Sequence, residues 1–278
     1  MKFADRDKGN PYLAFSCTVI VCILALSIIG GLAQSHHLDG YRDAPEGGSA
    51  IVWDAPVIRD NYPTYFVRTV TYHGITDSNL TPLREDPYIP HIQVCYFDRL
   101  AQMPKICVPY LLGPVIDSIM DTIRECEDLA GRTYTDYDTA LLVLNFVNAI
   151  DYALDERTYG TDEYWATPAE TLYAGRGDCE DHSALFVTLC RCLGLDAVLA
   201  VSEGHVQAGI RLDGDGVVVD GYSIVECCYC DHTRYLYAYA RDVEDDCRIL
   251  KEDTLAGAVN GLSAYVKGWR DFISLLLP

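Results

Sequence analysis

Gly175-Arg-Gly-Asp178 runs straight into Cys179, which stands at the head of the apolar stretch Ala184-Leu-Phe-Val-Thr-Leu-Cys190. Paired glycines after Pro168 mark 168–177 as a turn region. Leu185, Phe186, Leu189, Cys190 and Leu193 at helical spacing then predict a helix that starts at Cys179 and buries one side. Asp178 is placed as N-cap, with Asp181 as its capping-box partner, and Gly194 is positioned to end the helix. A sulfur in that first turn sees unsatisfied main-chain N–H groups and the positive end of the helix dipole, which favour thiolate. Glu180 and Asp181 oppose the charge, so a nearby imidazolium is required to hold an ion pair. The bland alternative, a small apolar core residue, is the reading adopted for Cys190 and Cys192.

The imidazole candidate is His205, between Gly204 and the strand-like Val206-Gln-Ala-Gly-Ile-Arg-Leu212. His182 lies one turn along the Cys179 helix and is expected to point along its surface, in a structural role. Strands are read at 197–201, 205–212 and 217–227, with Asp213-Gly-Asp-Gly216 as a turn. Closing a simple hairpin there puts position 224 opposite His205 and Gly209 opposite Asp220, roughly 13 Å along the strand. Glu226 falls close to the facing position and on the same face of the sheet. Glu226 is therefore the first candidate for an acid that orients His205. Asp220, the alternative, suits a second tight turn at Asp220-Gly221 that would shift this register.

Upstream, 65–73 is rich in β-branched and aromatic residues and reads as a strand, while 74–90, punctuated by Pro82, Pro87 and Pro90, reads as loop. It contains Asn79-Leu-Thr81, a weak glycosylation pattern with Pro82 behind it. Val115, Ile116, Ile119, Met120 and Ile123 form one helical stripe, and a second helix is expected from Asp136 to about Leu154. Trp165 is equally a core residue or a border of the cysteine site.

Residues 13–33 carry no charge and would span roughly 31 Å as a helix, enough to cross a bilayer. Lys2, Arg6 and Lys8 precede the run and only Arg42 lies close behind it, so the positive-inside rule puts the bulk of the chain outside the cytoplasm. The run exceeds a usual signal-peptide core of about 7–15 residues, which favours an uncleaved anchor. The expected organisation is a cytoplasmic segment 1–12, an anchor 13–33, a tether 34–49, a strand and loop region 50–114, a main domain 115–250 and a helical tail 251–278.

A formal charge of −20 leaves nothing to neutralise phosphates, so nucleic acid is excluded as a partner. The chain has 12 cysteines. Cys17 and Cys22 fall in the apolar run, and Cys95 and Cys107 are spaced to pair. Cys227-Cys-Tyr-Cys-Asp-His232 invites a metal reading, but Cys228, Cys230 and His232 on a strand would stand about 7 Å apart, too far for one tetrahedral ion. No metal ligands and no cofactor are assigned.

These segments together resemble the transglutaminase-like superfamily, in the style of its membrane-anchored prokaryotic members. The residues that carry the likeness are Phe146-Val-Asn-Ala-Ile-Asp-Tyr152, Glu163-Tyr-Trp-Ala-Thr-Pro-Ala-Glu-Thr-Leu172, Gly177-Asp-Cys-Glu-Asp181, Gly204-His-Val206 and Asp220-Gly-Tyr-Ser-Ile-Val-Glu226. The resemblance covers about 115–228. It implies an α+β, papain-like fold with helices packed on an antiparallel sheet, and a Cys-His-acid triad on Cys179, His205 and Glu226 or Asp220. Cys227-Cys228 stands where such relatives often carry Thr-Thr or Pro-Thr, and Val206-Gln207 follows the histidine where many have His-x-Trp, so substrate class is left open. The expectation is a thiol enzyme at the cell envelope, acting on amide bonds of a protein or peptide; a non-catalytic surface binding domain is the rival.

Overall fold

A computed structural model describes residues 41–44, 48–59, 62–86, 106–213, 216–228, 235–237 and 247–250. The run 13–33 expected as an anchor, the flanking segment 1–12, the expected tail 251–278 and Cys95 lie outside the described residues. Among the described residues no helix is long and apolar enough to cross a membrane.

Strands β1 (Tyr41–Ala44), β2 (Gly48–Arg59) and β3 (Tyr62–Tyr72) form one antiparallel sheet. The expected tether 34–49 thus includes a strand: its main chain pairs with β2, a bond that needs no apolar periodicity. Ile51, Trp53, Ala55 and Val57 alternate into the core, and Trp53 meets Phe146 edge-on with ring centres 5.5 Å apart. Pro56 obscures this strand in the sequence. It is tolerated because β1 pairs only with Gly48–Ile51, leaving the far edge of β2 beyond reach of a neighbour strand. Tyr134 serves that edge instead, donating from its hydroxyl to Pro56 O at 2.7 Å and accepting from Ile58 N at 3.1 Å.

Helix α1 (Asp77–Arg84) lies inside the stretch read as loop, with Pro82 in its last turn. Thr76 caps it and Leu80 and Leu83 bury its inner face, which outweighs one missing N–H. The Asn79 side-chain amide donates to Gly74 O at 2.6 Å, which occupies the atom that glycosylation would use. Helices α2 (Gly113–Ala130) and α3 (Asp136–Val147) follow. In α2 the buried line is Val115, Ile119, Thr122 and Cys126, and Met120 faces outward. Helix α3 stops short of Leu154, because Asp151–Tyr152 leaves it as β4 to pair in parallel with β5 (Arg176–Gly177).

A four-residue helical turn, α4 (Asp155–Thr158), precedes α5 (Pro168–Ala174), which occupies the expected turn region. Thr167-Pro-Ala-Glu170 is a helix start: Pro sits at the first position, and Glu170 Oε2 accepts from Thr167 N at 2.9 Å and Thr167 Oγ1 at 2.8 Å. Helix α6 (Cys179–Cys192) begins where the sequence predicts, but it is buried on every side from Glu180 to Cys190. Cys192, expected in the interior, is exposed at its end. Helix α6 packs on β6 (Ala197–Ser202) and β7 (His205–Ile210) of a five-stranded antiparallel sheet ordered β10-β6-β7-β9-β8. The remaining strands are β8 (Val218–Val219), β9 (Tyr222–Val225) and β10 (Arg248–Leu250).

Thr167→Ala removes the hydroxyl that grips Glu170 and should cost roughly 1–2 kcal/mol, in the range of lost helix caps. Urea unfolding measures it; an unchanged midpoint would show that the main-chain bond from Thr167 suffices.

Candidate active site

Helix α6 and strand β7 meet at one residue. The N–H of Val206 is directed at the Cys179 sulfur, and Val206 O accepts from Ser183 Oγ at 3.1 Å. Cys179 and Ser183 stand one helical turn apart, so both grip the same peptide unit. A two-residue turn, Glu203-Gly204, joins β6 to β7 with Ser202 opposite His205. Gly204 has φ +77°, which only a residue without Cβ adopts without strain. The cysteine side chain is thereby set against the strand position next to His205.

His205 Nε2 lies 2.7 Å from Glu226 Oε2. Gln207 Nε2 donates to the same oxygen at 3.0 Å, and Cys228 N donates to Oε1 at 3.1 Å. Glu226 is buried, while the His205 side chain is 34 % exposed. Burial opposes charge on Glu226, but the hydrogen bond and charge of His205, with Gln207 and Cys228, outweigh it and hold the carboxyl below its usual range.

The register differs from the simple hairpin. Asp220 (φ +51°) and Gly221 (φ +84°) form the second tight turn, pairing Val219 with Tyr222, and Gly209 faces Ile224. The shift is an even number of residues, so Glu226 keeps the same face and continues opposite Gln207. Asp220 sits exposed at that turn. Glu226 is thus the acid that meets His205. Gln207 was overlooked, although its spacing from His205 puts it on the face toward Glu226.

His182 is not on a helix surface. It is fully buried, its Nδ1 3.2 Å from Cys227 O and its ring edge-on to Tyr152 at 6.2 Å, and burial pushes its pKa down to about 4. Trp165 is a core residue whose indole donates to Glu163 Oε1 at 2.8 Å. Of the run 227–232, Cys227 is buried and Cys228 half-buried, and 229–232 lie outside the described residues.

An acidic neighbourhood surrounds the cysteine. Burial above all, then Glu180 and Asp178, push the Cys179 thiol up, and the thiol donates to Glu180 Oε2 at 3.1 Å. Burial likewise raises Asp178 to about 9, Glu180 to about 7 and Asp155 to about 7, and carries Asp181 well above its usual value. Asp178 and Asp181 do not form the expected capping box; Asp181 Oδ1 instead accepts from Ala166 N at 2.8 Å. Two groups have metal-ligand proximity, Asp178-Cys179-Glu180 and Asp155-Asp178-Asp181, the second entirely buried.

A cavity of about 520 Å³ opens beside this segment, lined by Tyr152, Ala153, Leu154, Glu156 and Arg157. Ala153 N donates to Gly177 O at 2.9 Å, which ties the cavity wall to the strand that leads into Cys179.

Residues 126–240 match a family model described as the transglutaminase-like superfamily. Over that stretch the chain is similar to that superfamily. The match takes in α3, the whole of α6 and the β6–β9 portion of the sheet, so it spans Cys179, His205 and Glu226 alike. No curated protein matches the chain. A transglutaminase-like domain is an α+β assembly here, with α6 packed on the antiparallel sheet that carries His205 and Glu226.

Because the Glu226 carboxyl is held below its unfolded value, its contribution to stability is present above about pH 4.5 and fades as pH falls through the folded-state pKa. Glu226→Gln should therefore show a shallower loss of stability between pH 5 and pH 3 than wild type in chemical denaturation. A slope equal to that of wild type would mean that His205 does not hold this carboxylate charged.

Proposed function

We propose that the transglutaminase-like domain is a thiol enzyme acting on amide bonds of a protein or peptide, with Cys179 as nucleophile, His205 as proton carrier and Glu226 as the acid that orients His205. The observation that carries the reading is the 2.7 Å contact between His205 and a buried Glu226, on the strand whose next residue turns its N–H toward the Cys179 sulfur. A buried carboxylate on one ring nitrogen sets which nitrogen carries the proton and leaves the other to exchange a proton with sulfur. Proton transfer from Cys179 to His205 is opposed at the sulfur by burial, Glu180 and Asp178, and favoured at the ring, where imidazolium is the charge that Glu226 favours.

In the reaction, Cys179 sulfur attacks the carbonyl carbon as His205 takes its proton. The tetrahedral oxyanion takes a hydrogen bond from main-chain N–H at the start of α6, that of Cys179 included. Collapse releases the amine, which leaves with the proton from His205, and water then hydrolyses the thioester with His205 as base. Replacing water by an amine would make the same site an acyl transferase. The cavity lined by Tyr152, Ala153, Leu154, Glu156 and Arg157 would take part of the substrate chain beside the Cys179 turn. The uncharged run 13–33 supports an anchored form with the domain on the outer side of the membrane, its substrate being a cell-surface protein.

One observation favours a second reading, a binding domain without catalysis: the Cys179 proton is directed at Glu180, and burial holds the sulfur as thiol. Turnover separates the two. In assays on a library of amide-quenched peptides, His205→Ala should lower kcat/KM about 10²–10⁴-fold, the usual worth of a general base, and Cys179→Ala should abolish turnover. Peptides that bind wild type yet are never cleaved or transferred would establish the binding domain instead.

A further inference from the structure

Glu226 reaches His205 by leaning along the sheet. Ala208 faces Val225, so Glu226, the next residue past β9, stands opposite Gln207 and not opposite His205. His205 and Gln207 project from the same face of β7 two residues apart, which makes His205 the diagonal neighbour of Glu226. Diagonal side chains start about 7–8 Å apart across a sheet, farther than a facing pair. A carboxyl on a stem with several torsions covers that distance in one tilt among others. The tilt adopted places Glu226 Oε2 2.7 Å from His205 Nε2.

Two groups fix that tilt. Cys228 N donates to Oε1 at 3.1 Å and serves as the pivot. Gln207, itself buried, donates from Nε2 to Oε2 at 3.0 Å, on the same oxygen that meets His205. Only the nitrogen of an amide can face a carboxylate, which sets the orientation of the Gln207 side chain. The other titratable groups set against this pair are Cys179 and His182 from α6 and Cys227 and Cys228 after β9. Burial favours the uncharged form of each.

We propose that Gln207 is a positioning residue: its amide holds the Glu226 carboxylate tilted onto His205, and that diagonal reach requires glutamate, not aspartate, at 226. A facing side chain unable to donate would leave part of a buried carboxylate oxygen unmet, and the carboxylate would then gain by turning away from the ring. Aspartate, one methylene shorter, stays at its own rung of the ladder and meets Gln207 alone. The role of Gln207 in turnover rests on the reading of His205 as proton carrier; its geometry is open to a test that needs no turnover.

Protein carrying ¹⁵N-labelled histidine is titrated by NMR, with the His205 ring assigned by its loss in His205→Ala. Glu226→Gln removes the charge and should move the His205 titration to lower pH by about 1. Gln207→Leu keeps the charge but frees the tilt, and should move the midpoint the same way by at least half as much. Gln207→Met, unbranched, serves if leucine disturbs the fold. Glu226→Asp keeps the charge at shorter reach and should move the midpoint as far as Gln207→Leu does. A Gln207 that merely filled space, or merely shared the charge of Glu226, would leave the midpoint in place or raise it, since the ring would then face an undivided carboxylate. That result in folded Gln207→Leu or Gln207→Met, or an unmoved midpoint in Glu226→Asp, would overturn the proposal. Peptide turnover read alongside should show kcat at least tenfold lower in Gln207→Leu with KM unchanged. A wild type without turnover would count against the thiol enzyme and not against Gln207, which the titration decides.

Discussion

The peptide unit of Val206 is where the two halves of the domain are locked together. Its carbonyl accepts from Ser183 and its N–H is directed at the Cys179 sulfur, so sliding the first turn of α6 along β7 would break the Ser183 bond and move the sulfur off that N–H. Such bonds are worth only about 1 kcal/mol each in isolation, but leaving their buried partners unmade costs more. The lock fixes which strand residue lies beside the sulfur, and strand alternation then fixes which of its neighbours turn toward Glu226. That registration brings His205 together with Glu226, whereas His182 is buried against Cys227 O.

Electrostatics pull against the registration. Glu226 lies in a setting that rewards negative charge, with three hydrogen bonds on its two oxygens. Asp155, Asp178, Glu180 and Asp181 lie in one that penalises it, and the penalty reaches the sulfur. A domain built only for stability would put apolar residues or an arginine behind α6, as Arg84 serves Glu170. Burial there pushes Asp178 up to about 9 and carries Asp181 well above its usual value, so these carboxyls hold their protons where Glu226 gives its own up.

Legibility tracked how local each signal is. Helix α6 was readable because glycines, a break in polarity and an apolar stripe fall within one short stretch. Glu226 was readable despite a wrong register, since an error of an even number of residues preserves the face of a strand. Strand β2 was hidden by Pro56, whose tolerance depends on Tyr134 arriving from another part of the chain. Helix α5 was mistaken for turn although Thr167-Pro-Ala-Glu170 is a start signal, because proline and the nearby glycines were weighed as breakers. Asp178 and Asp181 looked like caps, and no local pattern joined Asp155 to them; that meeting is made by the parallel pairing of β4 with β5.

Mass spectrometry of the acyl adduct speaks most directly to the thiol chemistry. Wild-type protein is quenched rapidly during reaction with an activated amide, digested, and read for the modified cysteine. The account predicts an acyl group on Cys179 that is absent when His205 is replaced by alanine. An adduct on Cys228 in place of Cys179, or equal acylation of Cys179 without His205, would contradict it.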